Sequence, residues 1–144
     1  MHKKRTGYFQ LLIIGNTEVS FHWSVLIGGL SIAAMISWIT REPVFLNGAA
    51  FFYFFAYLIL LAVHEAGHFL AARFFGLKVF AVNFSAWGGE CTFEPTLNTA
   101  HSFVIVAAGL LAQVALFLAT LLYLSIAGEP STIGERSFVV VFTL

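Results

Sequence analysis

Aspartate is missing altogether from this 144-residue chain, so all seven acidic side chains are glutamates. Charge of either sign is scarce: 10% of residues carry it, against about a quarter in soluble proteins. Seven lysines and arginines balance the seven glutamates, and no basic tract or aromatic-interleaved basic patch occurs. That excludes nucleic acid as a partner. The single cysteine, Cys91, excludes an internal disulfide and leaves the redox compartment open. No repeat, low-complexity tract or linker divides the chain, so residues 1–144 read as one domain.

Apolar side chains fill the space that charge leaves. They make up 60% of the sequence at a mean hydropathy of +0.91, the composition of a polytopic α-helical membrane protein in a lipid bilayer. Lys3, Lys4 and Arg5 make a short basic start. A polar-interrupted segment follows it in place of an apolar signal core, so no cleaved signal is expected. Tyr8–Ile14 and Thr17–Phe21, around Gly15-Asn16, predict two short strands joined by a tight turn at the membrane face.

Three long apolar stretches predict three transmembrane helices, the first and third free of charge and the second uncharged from Pro43 to Val63. The first runs from His22-Trp23 to Thr40, with Trp23 and Trp38 bracketing it as interfacial aromatics do. After the turn at Arg41-Glu42-Pro43 the second begins between Pro43 and Gly48 and continues to about Phe75. Gly48 to Phe75 would measure roughly 42 Å as a helix, longer than the ~30 Å hydrocarbon layer. The third is Phe103–Ala127, and Ser137–Leu144 opens a fourth apolar run. Between the second and third spans, Val79, Ala81, Asn83 and Ser85 alternate before Gly88-Gly89, which predicts a short β-hairpin or re-entrant strand. Gly88 and Gly89 would then be either a plain surface turn or an edge that accepts an unwound substrate by strand addition.

Chemistry concentrates at His64-Glu65-Ala66-Gly67-His68, near the far end of the second span. A separation of four residues stacks both imidazoles on one helix face, where they can hold one zinc ion. Glu65 stands beside them, placed to serve as general base and acid. An ionised side chain at this depth costs roughly 3 kcal/mol, so acid and imidazoles there must pair, relay protons or bind metal. His64 and His68 are therefore the expected metal ligands and Glu65 the expected catalytic residue. His22 and His101, each at a helix start, are expected to be interfacial anchors. Lys3, Lys4, Arg5, Arg73 and Lys78 fall on one side of the three-span topology, and Arg41 and Arg136, each beside a glutamate, on the other. The basic excess assigns the N-terminus and the zinc site to the cytoplasmic side of a cell membrane.

With those residues set out, the chain resembles the site-2 proteases, a family of intramembrane zinc metalloproteases. His64, Glu65 and His68 match the family's HExxH. Phe21-His22-Trp23-Ser24 resembles the start of its first helix, Ala86-Trp87-Gly88-Gly89 its glycine-pair strand, and Ala108-Gly109 its small-residue motif in the following span. The family carries proline and asparagine where this chain has Leu110 and Gln113. The resemblance implies hydrolysis of peptide bonds in or near membrane-spanning segments of substrate proteins, with zinc completed by an aspartate from a later span. This sequence has no aspartate, and His22, Cys91, Glu90, Glu94 and His101 do not lie where the family places that ligand. The expectation is an N-terminal part of a protease core, truncated at its C-terminus. Two other classes fit part of the pattern: a catalytically inactive membrane interaction homologue, and a metal-binding transporter-like protein. Glu65 separates protease from transporter, because a conduit needs no general base between its histidines.

Overall fold

Four helices and a four-stranded sheet make up the structure, a computed structural model that describes residues 6–41, 43, 48–96 and 98–143. The basic start at Lys3, Lys4 and Arg5, together with Glu42 and Leu144, lies outside the described residues. Strands β1 (Tyr8–Ile14) and β2 (Thr17–His22) form the expected first hairpin. Gly15 between them takes φ +61°, the left-handed conformation its turn demands.

Helix α1 covers Val25–Thr40, three residues shorter at its start than the apolar run that encodes it. β2 draws His22 into the sheet, and Trp23-Ser24 make the corner. At 1.5 Å per residue its 16 residues extend about 24 Å. Helix α2 is Ala49–Phe74 and helix α3 is Thr99–Ala127. These two, rather than the three expected, are long and apolar enough to cross a membrane. Helix α4, Ile133–Thr143, takes up the last apolar run.

Two helix starts are built from recognisable caps. The Asn98 side chain accepts the backbone N–H groups of Ala100 and His101 at the head of α3. At α4 the Thr132 hydroxyl accepts the Glu135 N–H while the Glu135 carboxylate accepts the Thr132 N–H, a reciprocal capping box. The N–H groups of Thr132 and Ser131, with the Ser131 hydroxyl, hold the Glu135 carboxyl below the usual carboxylate range.

Strands β3 (Val79–Ser85) and β4 (Gly88–Phe93) form the second hairpin. It is not isolated: β2 pairs with β3 in parallel, Glu18 opposite Ala81 through Phe21 opposite Phe84, giving the order β1-β2-β3-β4. A register shift between Val79 and Ala81 changes which face each later residue occupies. The buried positions are consequently Val79, Val82 and Phe84, instead of every second residue from Val79.

α2 is the axis of the molecule, packed against α1, α3, α4 and the β3–β4 pair. One apolar cluster joins the sheet to α2 and α3 through Val82, Phe84, Leu61, Ala72 and Ile105. A second joins α1, α2 and α4 through Ile36, Tyr53 and Val141. The start of α1 lies against the first half of α2, Gly28 facing Tyr57 and Gly29 facing Phe54. The outward side of α3, including Val106, Leu110, Leu118 and Leu122, is bare hydrocarbon, the surface a lipid-facing helix presents.

Candidate metal centre

His64, Glu65 and His68 converge on the inner side of α2, their ligand atoms all within 4.8 Å of one another. No other histidine, cysteine or glutamate among the described residues joins this group. The Nε2 atoms of the two rings are 3.0 Å apart, and the rings meet nearly edge to face at 85°. Tetrahedral zinc with bonds of ~2.05 Å sets its nitrogen ligands ~3.3 Å apart, so the pair is within a small adjustment of that spacing.

α3 orients one of the rings. His68 Nδ1–H donates to the Ile105 carbonyl at 2.7 Å, which leaves the lone pair on Nε2. In the metal-free pair, His64 Nε2–H must then donate to His68 Nε2. A cation between the rings would take the place of that shared proton. Buried polar atoms almost always find partners, yet His64 Nδ1 and Glu65 Oε2 are buried here without one. The donor set, two imidazoles and a carboxylate with ligand atoms within 4.8 Å of one another, suits zinc.

Two glycines allow the surrounding backbone this close. A Cβ on Gly109 of α3 would stand 2.5 Å from His68 Nε2 and 2.8 Å from His64 Cε1. A Cβ on Gly89 of β4 would overlap the Glu65 carboxyl group. Gly67, between the histidines, admits α3 in the same way, because its Cβ would strike the Ala108 carbonyl. Glu65 is left 2% exposed, closed in by an edge strand on one side and by its own helix on the other. Sequence reading gave Gly88-Gly89 as a surface turn or a substrate-accepting edge and Ala108-Gly109 as a small-residue motif. It missed the Ile105 carbonyl, because a backbone acceptor leaves no residue-type signal.

The remaining candidates have other places. His22 closes β2, its Nδ1 2.7 Å from the Ser24 hydroxyl. His101, in the first turn of α3, stacks on Phe75 at the end of α2 with ring centroids 4.1 Å apart. Cys91 lies on β4 within the field of Glu65; burial first, and that carboxylate second, push its thiol up to about 11. Gly88, with φ +125°, ends the β3–β4 turn beside Gly89. A groove of about 460 Å³ between α3 and α4, floored by Thr120 and Phe138, shares no residue with the histidine–glutamate group.

No family model matches the chain, and a search of curated proteins likewise finds no match. Among solved structures, the chain shares its fold with one described as Site-2 Protease from Methanocaldococcus jannaschii, at a TM-score of 0.64 and 16% sequence identity. The match covers 94% of this chain and 62% of that one. At this identity the likeness establishes the fold, a mostly helical membrane architecture with a small mixed sheet.

Proposed function

We propose that the chain is the core of an intramembrane zinc metalloendopeptidase, which hydrolyses peptide bonds in or near membrane-spanning segments of substrate proteins. The observation that carries the reading is the convergence of His64, Glu65 and His68 on one apolar, membrane-length helix, with backbone pressed against all three. Neither an interaction homologue nor a conduit requires a buried carboxylate with a free oxygen beside paired imidazoles. The fold shared with a site-2 protease supports the same choice.

His64 and His68 would hold the ion, and the Ile105 carbonyl keeps the His68 ring turned toward it. A bound zinc supplies Lewis acidity to the scissile carbonyl and lowers the pKa of water toward ~7. Glu65 does the proton work: Oε2, which has no other partner, takes the proton of the attacking water and returns it to the leaving amide nitrogen. Gly89 and the β4 edge keep bulk water from the carboxylate. The same edge offers unpaired backbone to a substrate helix that has locally unwound, with Gly88 and Gly89 leaving room for it. A third protein ligand is not among the described residues that surround the pair. The N-terminus and the metal helix end are taken to face the cytoplasm, as the charge distribution indicates.

Zinc content and cleavage of a transmembrane substrate in liposomes, measured side by side, test this reading. Glu65→Gln keeps the side-chain shape but removes the base. It should retain zinc while turnover falls by about 10²–10⁴. His68→Ala should lose zinc and activity together. Near-normal turnover in Glu65→Gln would end the proteolytic reading, and undiminished zinc in His68→Ala would end the metal site.

A further inference from the structure

Ser24 occupies the N-cap position of α1 but does not cap it: its φ and ψ are −63° and −15°, and its hydroxyl meets no amide of its own helix. Serine at that position ordinarily accepts the N–H of the second or third helical residue. Here the hydroxyl has two other partners. The Ser24 N–H donates to His22 Nδ1 at 3.2 Å, so that nitrogen carries a lone pair and the imidazole is neutral. The Ser24 hydroxyl, 2.7 Å from the same nitrogen, must donate to it as well. Its own lone pairs are thereby turned outward, and one accepts the backbone N–H of Ala86 at 3.0 Å.

Ala86 is the first residue of the two-residue turn between β3 and β4. The turn seats on α1 where Gly28 leaves space; a Cβ there would come within 3.1 Å of the Ala86 Cα. Phe21 and Phe84 stack below it at 4.6 Å. Two residues beyond the turn comes Gly89, whose backbone lies against the Glu65 carboxyl. The path from Ser24 to Glu65 is thus one short, hydrogen-bonded turn.

We infer that Ser24 is a positioning residue: its hydroxyl, aimed by neutral His22, latches the β3–β4 turn onto α1 and so holds Gly88-Gly89 over Glu65. The inference rests on the reading of Glu65 as the working carboxylate, but the latch itself is a conformational claim and is measurable without activity. Cys91, the only cysteine, sits half-buried on β4 three residues past Gly88 and reports opening of the hairpin through its rate of modification.

The test uses the full chain in detergent micelles, with N-ethylmaleimide at fixed pH and zinc content measured in parallel. Ser24→Ala should react about fivefold faster than the parent, the weight of one lost neutral hydrogen bond. Ser24→Thr, which restores the hydroxyl, should return to the parent rate. His22→Leu, which leaves the hydroxyl unaimed, should fall between them, and it carries the test if Ser24→Ala loses its helical circular dichroism. Parent-like rates in both Ser24→Ala and His22→Leu overturn the latch, and so does a Ser24→Thr rate as fast as that of Ser24→Ala. A parent chain that binds no zinc would remove the metal-site reading instead, and the labelling comparison would stand.

Discussion

Gly109→Ala sets two physical effects against each other. In the interior of a transmembrane-length helix, alanine in place of glycine favours the helix by about 1 kcal/mol. The new methyl, however, would stand 2.5 Å from His68 Nε2, 2.6 Å from His68 Cε1 and 2.8 Å from His64 Cε1. Non-bonded carbon rests at ~3.5 Å, so the contact is roughly 1 Å too short. The imidazoles are terminal groups on two-torsion side chains and yield before α3 does, because α3 is held through Ile105 and the Gly67–Ala108 approach. Metal sites tolerate errors of about 0.2 Å in ligand distance, so a shift several times larger is decisive. The variant should therefore keep or slightly raise its thermal stability while zinc affinity drops by at least the 10–100-fold seen when a ligand's support is removed. Competition with a chromophoric chelator, beside a thermal melt in detergent, gives both quantities. Leu110→Ala, one residue away on the exposed side, should leave zinc affinity unchanged. Zinc affinity in Gly109→Ala equal to that of the parent would refute the argument that the α3 backbone fixes the ring positions.

The raised thiol of Cys91 gives a pH profile. The reactive species is the thiolate, so alkylation of the folded chain should quicken about tenfold per pH unit and level off only near a pKa of about 11; a plateau already at pH 9 would show that β4 does not bury the thiol. Sidedness is tested with Cys91→Ser carrying a new cysteine in place of Lys78 or Arg136. The first should react with an impermeant reagent only from the cytoplasmic side and the second only from the opposite one, and labelling of both from one side would overturn the charge-based topology.

The part of the site legible in the sequence is the part carried by local periodicity. The four-residue step from His64 to His68 becomes about one turn once the segment is helical, and the apolar run ahead of them marks that helix as long and apolar enough to cross a membrane. The first hairpin was legible for the same reason: Gly15-Asn16 lies between two short strand-like runs. What escaped depends on partners far along the chain. The β2–β3 pairing joins Glu18 to Ala81, and no pattern in either segment announces the other. That pairing takes His22 into β2 and so shortens α1 to 16 residues, fewer than its apolar run offers. The shift between Val79 and Ala81 belongs to strand pairing, and it turned the alternation read from Val79 onward onto the wrong face. Ala108-Gly109 was readable as a place of close approach, but not as the wall behind two imidazoles.

The parallel pairing of β2 with β3 also orders events in time. β2 is made early, yet its partner strand emerges some sixty residues later, after both α1 and α2. At synthesis rates of about 5–20 residues per second the first hairpin waits roughly 3–12 s with that edge unpaired. Through this interval Phe9, Leu11 and Ile13 on β1 are bare as well, as they remain in the finished fold. An apolar hairpin with an open edge is a template for misassociation. The nascent chain must therefore keep the β1–β2 hairpin at the bilayer surface or in the hands of a chaperone until α2 is inserted and β3 closes the sheet.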